Sequence, residues 1–218
     1  LPLLEQEIRS AVAGSFLEGS PVVPVSSRTG EGLSELVAAL GRLARDVPER
    51  PADGPLFLPV DRAFSLKGFG TVVTGTLLSG TLSEGEAVEL VPPSPATGAL
   101  RVRSVQVHGR AAPSAMAGQR TAVNLPGVEA PAIARGQVLT HPGVVPATRM
   151  LDAELDLLAA APRPLKHRSR LLLHLGTAQV PCTVSLLDVP GGGDLPPGGR
   201  ALGQLGLAAP VAALPGQR

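Results

Sequence analysis

The chain has 218 residues, 44% of them hydrophobic, and this is enough for one to three domains with hydrophobic cores. Its formal net charge of +1 excludes a global basic field, so contacts with nucleic acid would have to come from local clusters of charge. Aromatic residues make up only 2%, which argues against sequence-blind binding of single strands on aromatic stacking platforms.

Residues 1–49 have the pattern of a helix, a strand and a second helix, which is part of an α/β layer structure. Apolar residues recur at helical spacing from Leu4, and a second apolar stripe begins at Leu33. The apolar run 21–25 between them predicts a short buried strand. Because three elements cannot close such a layer alone, we expect a partner sheet to precede them.

Short strands and turns follow a linker at 47–55 that is rich in proline and charge. The segment 67–76 contains two β-branched runs separated by glycines, which is typical of consecutive antiparallel strands. The sequence therefore predicts a mainly β protein with small antiparallel barrels.

Two alternation patterns within this β segment make local predictions. In 100–108 the apolar residues change parity, which predicts a β-bulge or strand break near Arg103. In 120–125 the apolar residues alternate with polar ones, so we expect Arg120 and Asn124 to face outward.

A second all-β segment begins near Thr148, after a connection at 141–148. We expect Cys182 to be a small buried residue in one of its strands, and as a single cysteine it excludes an internal disulfide and a thiolate-rich zinc site. Glycines and prolines at 190–199 predict a loop. The strand candidates are 151–158, 170–175, 177–187 and 200–207.

Several segments of the sequence resemble a known family. Segments 58–64 (LPVDRAF), 67–76 (KGFGTVVTGT) and 117–125 (AGQRTAVNL) resemble the second domain of translational GTPases. Together they are most similar to selenocysteine-specific elongation factors, which carry selenocysteinyl-tRNA to the ribosome. The segment 173–180 (LHLGTAQV) supports the same family.

The resemblance implies three domains: a C-terminal remnant of a GTP-binding domain in 1–49, β-barrel domain 2 in 50–146 and an incomplete β-barrel domain 3 in 147–218. A family member would continue into a C-terminal winged-helix region that binds the mRNA element for selenocysteine insertion. The implied partners are selenocysteinyl-tRNA and the ribosome, without a membrane. No signal peptide and no apolar run of about 20 residues is found, so we expect a cytoplasmic protein.

The segment 25–33 resembles the last nucleotide-contacting motif of GTPases, so Ser26, Ser27 and Arg28 are candidate guanine contacts. The alternative is an ordinary helix N-cap by a serine or threonine. The sequence lacks a GxxxxGK[ST] phosphate loop and an Asn-Lys-x-Asp motif. We therefore expect no catalysis and no cofactor in this segment alone, with GTP and Mg²⁺ bound elsewhere in the parent protein.

In the family, an Asp-Arg pair and a later arginine are associated with the aminoacyl pocket. The matching residues are Asp61, Arg62 and Arg120, with His108 as a weaker candidate. Arg62 has the parity of apolar neighbours, and a charge in such a place requires a partner or a ligand. We expect Asp61 to orient Arg62; the alternative is an ion pair without a ligand.

A cluster of cationic residues lies in 163–170 and predicts contacts with tRNA phosphates, which orient an RNA without reading its sequence. The alternative is a solvated turn between strands. The cluster contains Arg163, Lys166, His167, Arg168 and Arg170.

Two other functions remain open at this point. The first is a related translational GTPase, either a general aminoacyl-tRNA carrier or an initiation-factor γ subunit. The second is a β-barrel interaction module without a tRNA role. No metal site is predicted.

Overall fold

A computed structural model describes residues 2–48, 52–68, 70–94, 98–189 and 193–217. The chain divides into two compact units, residues 1–49 and 50–218. Helices occur in the first unit, and antiparallel sheets make up the second, which confirms the mainly β fold class. Residues 49–51 of the predicted linker and residues 190–192 of the predicted loop lie outside the described residues.

The first unit contains two amphipathic helices, α1 (Pro2–Val12) and α2 (Leu33–Asp46), as predicted. The predicted strand at 21–25 is wrong, because the described residues of this unit form no strand there. An extended segment becomes a strand only when a neighbour completes its hydrogen bonds. The segment instead leads into a loop before α2, with Val22 and Val23 half-buried.

The second unit begins with ten strands, which we call the first β region. Eight of them form one sheet in the order β5-β4-β10-β1-β2-β9-β6-β7, and β3 pairs with β8. A 3₁₀ turn at Ala130–Ala132 precedes β10. The strands are β1 (Leu58–Leu66), β2 (Gly70–Thr76), β3 (Thr81–Ser83), β4 (Ala87–Val91), β5 (Leu100–Arg101), β6 (Ser104–Val107), β7 (Arg110–Ala112), β8 (Ser114–Met116), β9 (Arg120–Leu125) and β10 (Val138–Thr140).

The strand break predicted near Arg103 is confirmed, and it brings opposite parts of the sheet together. The break separates β5, which pairs with β4, from β6, which pairs with β9. Within it, the Val102 amide donates to the Glu86 carbonyl and the Arg103 amide donates to the Asn124 carbonyl. One kinked segment therefore bonds to both sides of the sheet and curls it around a core.

Four strands of one antiparallel sheet form the second β region, in the order β11-β14-β13-β12. All four predicted strands of this region are confirmed. Because β11 and β12 lie at the two ends of this order, each has one neighbouring strand in the sheet. The strands are β11 (Ala147–Asp156), β12 (Ser169–Leu175), β13 (Ala178–Asp188) and β14 (Arg200–Ala212).

The two β regions pack directly on each other. Each has its own core of leucine and valine side chains, and Cys182 is buried in the second, as predicted. A third buried cluster joins Phe57 and Val138 of the first region to Ala212 of β14. The contact area between the regions is therefore built from apolar side chains as well as from the backbone contacts described below.

The alternation in β9 is confirmed in part. Thr121, Val123 and Leu125 are buried and Arg120 is exposed, as expected. Asn124 lies on the predicted outer face, but the residue is only 5% exposed, so it is buried there and not solvent-exposed like Arg120. The strand lies between β2 and β6, where Asn124 pairs with the buried Val72, so this part of the outer face is covered as well.

Candidate functional site

A β-bulge in β1 is the structural basis of the candidate site. The register of β1 against β2 shifts between Val60 and Arg62, so Asp61 is an extra residue. Val60 is fully buried, whereas Arg62, Phe64 and Leu66 are exposed. Arg62 therefore lies on the face of Phe64 and Leu66 but not on that of Val60, because the bulge changes the parity of the strand between Val60 and Arg62.

The carboxylate of Asp61 connects three strands. It accepts a hydrogen bond of 2.6 Å from the Thr74 hydroxyl of β2 and forms an ion pair with the Arg120 guanidinium of β9. The Asp61 side chain is 23% exposed and that of Arg120 is 46% exposed, so the pair is accessible from solvent. Asp61 therefore orients Arg120, and the prediction that it orients Arg62 is wrong.

The electrostatics keep this carboxylate ionised. Burial raises the pKa of Asp61, but hydrogen bonds from Arg120 and Thr74 and the charge of Arg62 outweigh it, and the pKa lies below its ordinary value. The site thus combines two guanidinium groups with one carboxylate. The net charge of these three groups is therefore positive, and Arg62 is exposed to solvent.

The fourth predicted pocket residue, His108, lies in the two-residue turn between β6 and β7. His108 and Gly109 have φ angles of 51° and 76°, which is typical of a type I′ hairpin. The His108 amide donates to the Arg120 carbonyl at 3.2 Å. This turn therefore lies beside the start of β9, and its imidazole is exposed.

The cationic segment 163–170 forms the end of the β11–β12 connection and the start of β12. None of the ion pairs found among the described residues involves its side chains. Solvated cationic side chains that form no ion pair among the described residues are available to an anionic ligand. The exposed basic side chains of this segment are Arg163, Lys166, His167, Arg168 and Arg170.

Two members of the cationic segment also shape the turn. The Nδ1 atom of His167 accepts a hydrogen bond of 3.2 Å from the Leu186 amide, which leaves the neutral ring with its proton on Nε2. Arg168 has a φ of 64°, and its amide donates to the Val184 carbonyl at 2.7 Å. Both bonds fix the turn to β13, so its charges project from an ordered backbone.

The candidate guanine contacts lie in the loop before α2. The Ser26 amide donates to the Glu31 carbonyl at 2.9 Å, which closes the loop, while Ser27 and Arg28 are exposed. The N-cap of α2 is Gly32, without a capping side chain. The alternative of a serine or threonine N-cap is therefore wrong, and Ser27 and Arg28 are accessible to a ligand.

Sequence reasoning missed Thr74, which the register places opposite Arg62 and within reach of Asp61. The signal was a hydroxyl residue within a β-branched run. The described residues contain no group of three or more His, Cys, Asp or Glu side chains suited to a metal ion. Within the same residues, no helix is long and apolar enough to cross a membrane.

Comparisons with known proteins agree with this architecture. A family model described as elongation factor Tu domain 2 matches residues 70–140. Over 220 aligned residues the chain is 44% identical to the selenocysteine-specific elongation factor of Desulfomicrobium baculatum. The alignment covers 100% of this chain and 33% of that relative. The chain thus spans about a third of the length of this curated relative.

Two solved structures have the same fold. Translation elongation factor SelB from Methanococcus maripaludis, in its apo form, superimposes with a TM-score of 0.81 at 24% identity, over 97% of this chain and 48% of the other. A bacterial selenocysteine-specific elongation factor, EF-Sec, superimposes with a TM-score of 0.78 at 26% identity, over 99% of this chain and 34% of the other. The predicted resemblance is therefore confirmed.

Proposed function

The chain is homologous along its whole length to selenocysteine-specific elongation factors, and we propose that it is the aminoacyl-tRNA-binding part of such a factor. In this proposal, the parent protein delivers selenocysteinyl-tRNA to the ribosome in the cytoplasm. Residues 1–49 end its GTP-binding domain, 50–146 form domain 2 and 147–218 form domain 3. Further regions of the parent bind GTP with Mg²⁺ and the mRNA element for selenocysteine insertion.

The observation that supports this proposal is the charge arrangement around the Asp61 bulge. A selenol is more acidic than a thiol, so the selenocysteine side chain is largely an anion at neutral pH, whereas serine on the same tRNA is neutral. Arginine stays charged and offers several donors. The residual positive charge of Arg62 and Arg120 beside one carboxylate favours an anionic side chain over a neutral one.

The three charged residues have different roles in this proposal. Asp61 holds Arg120 in one orientation, which lowers the entropy cost of binding. Its negative charge also keeps an incoming anion away from itself and close to the exposed guanidinium of Arg62. When neutral serine is present, the net positive charge of the site stays uncompensated, so the site disfavours the wrong aminoacyl group.

The cationic segment supplies the contacts that do not depend on the aminoacyl group. Arg163, Lys166, Arg168 and Arg170 are exposed between the end of the β11–β12 connection and the start of β12, as phosphate contacts require. We assign His167 a weaker direct contribution, because its Nδ1 atom is engaged with the backbone of β13. By homology with GTPases, Ser26, Ser27 and Arg28 contact guanine when the complete GTP-binding domain is present.

The experiment measures the affinity of the intact factor for selenocysteinyl-, seryl- and uncharged tRNA, with Arg120→Ala and Arg62→Ala as variants. A charge-assisted hydrogen bond contributes about 1.5–3 kcal/mol, so the preference for the selenocysteinyl form should fall about tenfold to a hundredfold. Binding of uncharged tRNA should change little. The matched control is Arg101→Ala, since Arg101 donates to the Gly85 carbonyl and has no part in the site.

The pattern of losses distinguishes the alternatives. If Arg120→Ala weakens the selenocysteinyl and seryl forms by the same factor, the residue has a structural or phosphate-contacting role and the pocket is assigned wrongly. If the unaltered factor shows no preference for the selenocysteinyl form, a general aminoacyl-tRNA carrier replaces the proposal. If no tRNA binds, the chain belongs to an interaction module.

A further inference from the structure

The turn between β12 and β13 inserts against the bulge that carries Asp61. Its hydroxyl residue, Thr177, donates a hydrogen bond of 2.7 Å to the Val60 carbonyl, across 117 positions of sequence. Gly176 precedes it with a φ of 57°, and a Cβ atom there would lie 3.3 Å from the Pro59 ring. The second β region thus contacts Val60, the residue immediately before Asp61 of the candidate site.

The Val60 backbone is held by several bonds at this point. Its carbonyl also accepts from the Gly136 amide at 3.2 Å, and its own amide donates to the Gln137 carbonyl at 2.8 Å. Of the donors to the Val60 carbonyl, Thr177 is the side-chain donor and makes the shorter bond. Since Val60 is fully buried, water does not replace this hydroxyl at low cost.

Geometry transmits this bond to Asp61. The carbonyl of Val60 and the amide of Asp61 belong to one peptide unit, which is planar. The pairing of β1 with β2 is irregular at this position, because the register shifts between Val60 and Arg62. The bond from Thr177 therefore constrains the plane from which the Asp61 side chain projects toward Thr74 and Arg120.

We propose that Thr177 is a positioning residue: its hydroxyl fixes the Val60–Asp61 peptide plane and so holds the Asp61 carboxylate on Arg120. The effect on aminoacyl preference rests on the proposed function, whereas the effect on Asp61 itself does not. Thr177 belongs to the segment 173–180 (LHLGTAQV), which thereby contributes to the site from the second β region.

The first experiment follows the Asp61 carboxyl by ¹³C NMR across an acid titration of the 218-residue chain. Thr177→Val keeps the shape of the side chain and removes the hydroxyl, whereas Thr177→Ser keeps the hydroxyl. We expect the valine variant to raise the pKa of Asp61 toward its ordinary value, because the bonds from Arg120 and Thr74 weaken. The serine variant should titrate like the unaltered chain.

The second experiment measures selenocysteinyl- against seryl-tRNA affinity in the intact factor. Thr177→Val should compress the preference about threefold to tenfold, the range expected for one neutral hydrogen bond acting through another group. Thr177→Ser should restore it. On an Asp61→Asn background the valine substitution should have no further effect, because the group that it positions has lost its charge.

The outcomes separate the two proposals. If Thr177→Val destabilises the chain but leaves the Asp61 titration and the preference unchanged, Thr177 is a packing residue and the positioning role is refuted. If Thr177→Val does not fold, Thr177→Ala provides the same comparison against Thr177→Ser. If Arg120→Ala leaves the preference intact while Thr177→Val still shifts the Asp61 titration, the positioning role stands and the proposed function fails.

Discussion

Gly80 allows the packing of the first β region to be tested by one methyl group. It lies between β2 and β3 with a φ of 75°, and a Cβ atom there would lie 2.7 Å from both the Gly54 carbonyl oxygen and the Leu56 nitrogen. The left-handed conformation costs an ordinary residue about 1–2 kcal/mol. Forcing an extra methyl group against backbone adds about 1–3 kcal/mol, so Gly80→Ala should destabilise the chain by about 2–5 kcal/mol.

The matched control is Gly85→Ala in the turn between β3 and β4. Gly85 has a φ of 85°, but a Cβ atom there would meet no heavy atom within 4 Å. Gly85→Ala should therefore destabilise the chain only by the cost of the left-handed conformation, about 1–2 kcal/mol. Both variants change the entropy of the unfolded chain equally. Urea unfolding followed by circular dichroism measures the difference. Equal losses for the two variants would refute the close approach of the chain at Gly80.

Two further predictions concern charge. Lys166→Glu with Arg168→Glu should weaken tRNA binding by the intact factor and flatten the dependence of log K on log salt, because fewer phosphates are neutralised; an unchanged slope would assign the segment to a solvated turn. Burial raises the pKa values of Asp61 and Glu86, but hydrogen bonds from Arg120 and His141 outweigh it and both lie below their ordinary values of 3.8 and 4.5. The stabilisation that these carboxylates contribute is complete above their ordinary pKa values and is lost as the pH falls through their lower pKa values in the folded chain. The double variant Asp61→Asn with Glu86→Gln should therefore lose less stability below about pH 4.5 than the unaltered chain does. Urea unfolding midpoints measured across pH check this.

Local patterns predicted the elements of the fold well where the pattern and the neighbours agreed. The four strands of the second β region follow from alternation and turn residues, and the break before β6 follows from a change of parity at Val105. The strand at 21–25 failed for a reason that its own residues do not contain. A strand depends on a partner, and no partner strand occurs among the described residues of that unit.

The proximity of the candidate site residues was also predictable, but the pairing among them was not. Asp61, Arg62 and Arg120 do lie together, and the His108 turn bonds to the backbone of Arg120. Sequence adjacency suggested that Asp61 orients Arg62. The structure instead pairs Asp61 with an arginine 59 positions later, because β1 and β9 both flank β2.

The bulge explains both the failed prediction and the site. In a regular strand successive side chains point to opposite faces, so Asp61 and Arg62 would be separated by the sheet. Here Val60 and Ala63 both contact the core, which leaves two consecutive residues between them for the outer face. One inserted residue thus breaks the alternation from which the face of Arg62 was predicted. It also places a carboxylate and two guanidinium groups on one surface. At the same position the hydroxyl of Thr177, from the second β region, donates to the Val60 carbonyl and constrains the Val60–Asp61 peptide.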